Sequence, residues 1–156
     1  MIALVQRVSE ATVMVDGKVV GAIGPGLLVL AGVHREDGER ELEWVARKCA
    51  LLRVFPDEEG TMNRSVIEAG GEVLAVSQFT LYGTVGKGNR PSYNRAAPPE
   101  IANSLFEEFV GRLESHLGRT VATGRFQAHM QVRLVNDGPV TVWIEREPTS
   151  HDEAGD

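Results

Sequence analysis

"ATVMVDGKVVGAIG", residues 11 to 24, sets two runs of alternating valines around Asp16-Gly17. Alternation with period two is the mark of a half-buried strand, and an Asp-Gly pair supplies the positive φ angles of a two-residue hairpin turn. The stretch therefore predicts an antiparallel hairpin, and the segments around it extend the same sheet. Residues 2 to 8 read as a strand, "LLVLAGV" (27 to 33) as a buried strand, and Arg53 to Phe55 as a short extended piece. "VLAVS" (73 to 77) reads as a central strand, and three more fall near 120 to 123, 129 to 136 and 140 to 146. The last two are expected to be joined by a tight turn at Asn136-Asp137-Gly138-Pro139.

Two segments carry the helical period instead. Asp37 is placed to cap a helix whose apolar stripe is Leu42, Val45, Ala46, Cys49 and Leu52, with Glu39 and Glu41 in its first turn. Pro98-Pro99 opens a second helix with Ile101, Leu105, Phe109 and Leu113 beside Ala102, Phe106 and Val110, and Gly118 is its expected stop. Helices and strands do not alternate as a doubly wound sheet requires. The predicted fold is α+β, a single domain over 1–146 with a mainly antiparallel, barrel-like sheet and two principal helices, followed by a disordered acidic tail at 147–156.

At 156 residues, 42% hydrophobic and 24% charged, the chain has the composition of one globular domain. Its start lacks the basic and apolar regions of a signal peptide, and no apolar run nears the ~18 residues of a membrane span. The expected location is the cytoplasm, with no membrane partner. One cysteine, Cys49, excludes an internal disulfide and a cysteine-rich zinc site, and its helical position makes it a small buried hydrophobe.

The net charge of −6 argues against nucleic acid until the acids are located. The last twelve residues carry −4 of it, so residues 1 to 144 carry −2. No carboxylate occurs between Glu72 and Glu100, or between Glu114 and Asp137, while Lys87, Arg90, Arg95, Arg119, Arg125 and Arg133 do. Buried strands lack acids in any case. The glycine-rich loop from Gly83 to Arg95 is too polar for a core, however, so its bases face solvent or an anion such as phosphate.

"GTVGKGN" (83 to 89) lacks the spacing of a phosphate-binding P-loop and has Asn89 where the magnesium-binding Ser or Thr would stand. There is no G-x-S-x-G elbow and no H-E-x-x-H, and the four histidines share no metal-ligand spacing, so no metal and no cofactor are expected. His129, among apolar residues, reads as structural. What remains is main-chain donors, hydroxyls and water. Where a strand ends in Ser77-Gln78-Phe79-Thr80, amides freed from the ladder can face a developing oxyanion, a contribution of ~3 kcal/mol per donor in acyl transfer. The same pattern also serves where Ser and Thr merely satisfy turn amides.

"SQFTLY" (77 to 82), "KGNRPS" (87 to 92), "AAPP" (96 to 99) and "NDGPVT" (136 to 141), behind "QRVSEATVMVDGKVVGAIGPGLLVLAGV", resemble the D-aminoacyl-tRNA deacylases of the bacterial D-Tyr-tRNA(Tyr) deacylase type. The resemblance spans residues 1 to 145. It implies metal-free hydrolysis of the ester joining a D-amino acid, or glycine, to the terminal adenosine of tRNA, a chiral proofreading activity that spares L-aminoacyl-tRNA. It also implies a homodimer with the active site at its interface. Ser77, Gln78, Phe79 and Thr80 would line the reaction centre, with the Phe79 amide as oxyanion donor. Gly138-Pro139, similar to the family's Gly-cisPro element, would reach in from the partner subunit. "GRFQAHM" (124 to 130) is similar to the family's "GxFGAxM", which brings Phe126 and Met130 to the terminal adenosine, but Gln127 stands where Gly is usual. Lys87, Arg90 and Arg95 would hold tRNA phosphates. Thr80 reads as nucleophile or as positioning group, and the absence of a base in the motif favours attack by water. A non-catalytic module binding nucleic-acid ends would use the same basic loop, though with more exposed aromatics than five Phe, two Trp and two Tyr supply.

Overall fold

The structure, a computed structural model, describes residues 1–149. Its organising element is β1 (Ile2–Val15), one strand where the sequence suggested two pieces. β2 (Lys18–Ile23) returns antiparallel against the second half of β1 through the Asp16-Gly17 turn, whose φ angles are +49° and +75°. β3 (Gly26–Gly32) continues in the direction of β2 and pairs antiparallel with the first half, Ile2 opposite Gly32.

From β3 the chain crosses over through α1 (Glu39–Leu51) and the small β4–β5 ribbon (Phe55–Pro56 and Met62–Arg64). It re-enters the sheet as β6 (Glu72–Ser77), parallel to β3 with Ala31 opposite Ser77. α2 (Pro99–Leu117) packs on α1 and ends at Gly118 in the left-handed conformation, as its glycine predicted. β7 (Ala122–Thr123) then pairs parallel with β6. The order β2-β1-β3-β6-β7 curls until β7 meets β2, which nearly closes a barrel. Gly21 permits that meeting: a Cβ there would lie 2.3 Å from the Thr123 carbonyl oxygen. The α+β barrel-like reading holds, with the refinement that β3, β6 and β7 run parallel.

The C-terminal strand corrects the sequence reading. Residues 131–145 form one strand, β8 (Gln131–Glu145), with Met14 opposite Gln131 and Ile2 opposite Glu145. Asn136–Pro139 does not reverse the chain. It is a bulge between Asn136, opposite Val8, and Thr141, opposite Gln6, on a strand that resumes its direction. The Asn136 side chain closes the bulge like a section of ladder, accepting the Val140 N–H at 2.7 Å and donating to the Val140 carbonyl at 3.1 Å.

The core lies between the sheet and the two helices, around Leu27, Val29, Leu42, Val45, Phe109 and Leu113. Ile101, expected on the buried stripe, is exposed, and Leu117 takes a place in the core. Asp37 is not the helix cap. Its carboxylate accepts the Met1 ammonium at 2.9 Å and the His34 N–H at 2.7 Å, in a site where both charged groups are buried. Gly38 caps α1 instead, and Glu41 reaches back to accept its N–H at 2.8 Å. Cys49 is buried in the core as expected, with burial pushing its thiol pKa up to about 12. His129, read as structural, is exposed. Of the acidic tail, residues 150–156 lie outside the described residues, while Glu147 is bound by Arg95 through both carboxylate oxygens at 3.0 Å.

Candidate functional site

β6 delivers the first site residues. Its last ladder bond at this end is the Gln78 N–H to the Ala31 carbonyl, 2.8 Å, after which the chain tightens into a 3-10 turn, Phe79–Tyr82. The first hydrogen bond of that turn comes from Leu81 N–H to Gln78 O, so the amides of Phe79 and Thr80 stand ahead of its ladder. The strand exit thus leaves adjacent main-chain donors with no role in regular structure. The Gln78 side-chain amide donates to Thr80 Oγ1, tying the exposed Thr80 hydroxyl to the same turn.

Ser77, Gln78 and Phe79, though not Thr80, line a cleft of about 330 Å³. They form one wall, and Phe126, Gln127 and Met130 face them from the segment before β8. Five of the residues singled out from sequence therefore meet in one cleft. Gln127 has φ +62°, a conformation costly for a residue with a Cβ, which gives a physical reason for glycine at that position of the related motif.

The basic loop stands beside the cleft. Thr84 and Ser92 exchange backbone hydrogen bonds of 2.8 and 2.9 Å, which pinches residues 85–91 into a tip bearing exposed Lys87 and Arg90. Tyr93 at the base of the tip packs edge-on against Phe79, ring centroids 5.0 Å apart. Arg95 differs from the other two, because Glu147 already neutralises it and it lies 5.4 Å from the centre of the Tyr82 ring. His34 is buried against Tyr82, and that burial holds its imidazole below the ordinary histidine pKa despite the nearby Asp37 carboxylate. It does not line the cleft. Among the described residues no three His, Cys, Asp or Glu side chains cluster as metal ligands.

Gly138 and Pro139 do not line the cleft of their own chain. They occupy the β8 bulge, joined by a cis peptide bond, and a Cβ on Gly138 would lie 2.6 Å from the Val140 nitrogen. Sequence reasoning missed the residue that holds this bulge. Arg7 donates from Nε to the Asp137 carbonyl at 2.8 Å and from Nη1 to the Val54 carbonyl at 2.5 Å, its side chain largely buried. An arginine inside a strand otherwise rich in valine was the available signal, since a buried guanidinium needs fixed acceptors.

A family model described as D-Tyr-tRNA(Tyr) deacylase matches residues 4–145. The chain belongs to this family. A D-aminoacyl-tRNA deacylase of Symbiobacterium thermophilum is 63% identical over 94% of this chain and 97% of its own. One from Salinibacter ruber is 60% identical at the same coverage. Among solved structures, "c-Myc DNA Unwinding Element Binding Protein" superposes with a TM-score of 0.88 at 43% identity, over 94% of this chain and 99% of that one. A probable eukaryotic D-amino acid tRNA deacylase superposes at 0.79 with 17% identity, a likeness of fold. Within the family's matched span lie the cleft, the loop and the bulge alike. No helix among the described residues is long and apolar enough to cross a membrane.

Proposed function

We propose that the protein hydrolyses D-aminoacyl-tRNA, releasing the free D-amino acid and tRNA. The observation that carries the reading is the strand exit at Ser77, where the Phe79 and Thr80 amides stand outside any ladder beside a cleft shaped by Phe126 and Met130. Membership of the D-Tyr-tRNA(Tyr) deacylase family and relatives named D-aminoacyl-tRNA deacylase support it. Water adds to the ester carbonyl carbon, and the Phe79 N–H stabilises the resulting oxyanion. The bond to the ribose O3′ then breaks, and that oxygen takes up the proton the water releases. Thr80, held by Gln78, positions water or substrate. Phe126 and Met130 flank the terminal adenosine, and Lys87 and Arg90 contact phosphates, with Arg95 available when it releases Glu147.

The reading includes a homodimer in which Gly138-Pro139 of one subunit completes the cleft of the other. β8 supports this, because a 15-residue strand at the sheet edge that exposes Val132, Val135 and Trp143 invites a covering partner. A backbone element of this kind selects chirality without a side-chain pocket, so glycyl-tRNA, which has no Cβ to exclude, is a substrate as well. The setting of such chemistry is the cytoplasm.

A second reading is non-catalytic binding of nucleic-acid ends, favoured by the printed name of the 43% identical structure. Hydrolysis of matched D-, L- and glycyl-tRNA by the purified protein separates the two. D- and glycyl esters should be cleaved and the L-ester spared. Equal rates for D and L would overturn the proposal, and tight binding of both without ester loss would establish the second reading.

A further inference from the structure

A second basic surface lies on the exposed side of α1. A groove of about 280 Å³ is lined by Trp44, Arg47, Lys48, Leu51, Leu52 and Arg53, without a carboxylate. The Trp44 ring is approached by Lys48 Nζ at 5.3 Å and by Arg146 Cζ at 5.4 Å, so four cations gather in and beside one groove of a protein of net charge −6. Such crowding is repulsive unless something anionic relieves it. Arg112, by contrast, has Glu39, Glu43 and Glu108 within 4.0 Å, and Arg95 has Glu147. Among the described residues, Arg47, Lys48, Arg53 and Arg146 form no salt bridge. Arg53 is nonetheless held in place, its Nε donating to the Asn63 carbonyl at 2.9 Å.

One edge of the groove is tied to the Gly138-Pro139 bulge. Arg7 lies opposite Leu27 at the start of β3, whereas Ser77 lies opposite Ala31 near its end. Four residues of strand separate those levels by roughly 13 Å. Arg7 bonds to Val54, the residue after Arg53, and through its Nε to Asp137, so one guanidinium links the edge of the groove to the Gly138-Pro139 bulge. The Arg53 edge of the groove is therefore tied to the bulge, while its Trp44 edge, beside Arg146, reaches the level of Ile2 and Gly32.

We infer that the α1 groove is a phosphate-backbone contact for the RNA whose ester is cleaved in the neighbouring subunit's cleft. This rests on the deacylase reading and deepens it. If the bulge enters the partner's cleft, the groove travels with it, and one RNA is held between Lys87 and Arg90 of one subunit and Arg47, Lys48 and Arg53 of the other. The ligand is a polyanionic strand, because the groove offers several separated cations and no acceptor side chain to read base edges.

The test is the Arg47→Ala/Lys48→Ala/Arg53→Ala triple variant of the full-length dimer, assayed on D-aminoacyl-tRNA between about 50 and 200 mM salt. KM should rise about tenfold or more at low salt with kcat retained, and the slope of log KM against log salt should fall by about 2, since each phosphate contact contributes ~0.7–0.9. The D-aminoacyl ester of adenosine alone, which has no stem, should be cleaved as by wild type. In a heterodimer with a Phe79→Pro subunit, which lacks the oxyanion amide, the triple variant supplies the working cleft and its partner the intact groove, so KM should return to the wild-type value. Unchanged KM and slope in the triple variant overturn the groove's role, and a heterodimer KM still raised places it with its own cleft. Failure of wild type to discriminate D from L sinks the parent reading instead, and is read independently of the variants.

Discussion

Replacing Asn136 with Ala should cost both stability and activity, because a single side chain closes the β8 bulge. It accepts the Val140 N–H at 2.7 Å and donates to the Val140 carbonyl at 3.1 Å and to Thr141 Oγ1 at 3.2 Å. Each such bond is worth ~1 kcal/mol net, and the Val140 amide, half-buried, loses its acceptor altogether, so the substitution should destabilise by about 2–3 kcal/mol. For a domain of this size that is a Tm lower by roughly 5–10 °C. Thr141→Val removes the most exposed of the three bonds and an exposed one from Gln6 Nε2 at 3.3 Å, and should cost about 1 kcal/mol or less. Because the same contacts fix Gly138 and Pro139, kcat/KM for a D-substrate should fall at least tenfold in Asn136→Ala, the equivalent of ~1.4 kcal/mol. Urea denaturation and steady-state hydrolysis on the same preparations measure the two quantities. Stability lost with activity intact would show that the bulge takes no part in the site. Stability unchanged within ~0.5 kcal/mol would refute the hydrogen-bond argument itself.

Gln127→Gly should raise stability by about 0.5–1 kcal/mol, the relief at φ +62° exceeding the entropy that glycine adds to the unfolded chain; a lower urea midpoint would contradict this. His116 at 2.7 Å, and then Arg112, hold the Glu43 carboxyl below its ordinary pKa. Its contribution is therefore present above the unfolded carboxylate value and lost as pH falls through the depressed folded value. Glu43→Gln should be less stable than wild type at about pH 7 and converge with it as pH falls below the depressed folded value of Glu43, and a gap that stays the same size throughout would count against the ion pair. Lys87→Ala with Arg90→Ala should raise KM and flatten its salt dependence at nearly constant kcat, whereas a collapse of kcat would put these bases at the chemistry. Hydrolysis should survive EDTA, since no three candidate ligands cluster among the described residues; loss reversed by one metal would disprove it.

Local periodicity and turn chemistry made much of the fold legible. The 11–24 hairpin, β6, the stripe of α1 and both ends of α2 follow from spacing that each segment carries alone. Asn-Asp-Gly-Pro reads as a reversal by the same logic, yet pairing with β1 on both sides of it keeps β8 running straight on. The parallel match of β3 with β6 left no local trace either, because the crossover that imposes it lies between them. Asp37 looked like a cap until the Met1 ammonium, distant in sequence, claimed its carboxylate. For the site, Ser77–Phe79 and the Phe126–Met130 segment could be named from motifs, while Arg7 stood out only as a charge inside an apolar strand, since both its acceptors are carbonyls on other elements.

The pairing of β1 with β8 sets a schedule for biosynthesis. β1 leaves the ribosome first and gains β2 and β3 on one flank almost at once, but its other flank waits for a strand that begins at Gln131. At ~5–20 residues per second, the roughly 115 residues between them take about 6–23 s to synthesise. Throughout that interval the nascent chain carries a long, valine-rich strand with one unsatisfied edge, the arrangement most open to pairing between neighbouring chains on a polysome. Arg7 and Glu10 are the only charges along β1, so little in the strand itself repels a second copy. Crowding during translation, rather than the stability of the finished barrel, should therefore limit the yield of native protein.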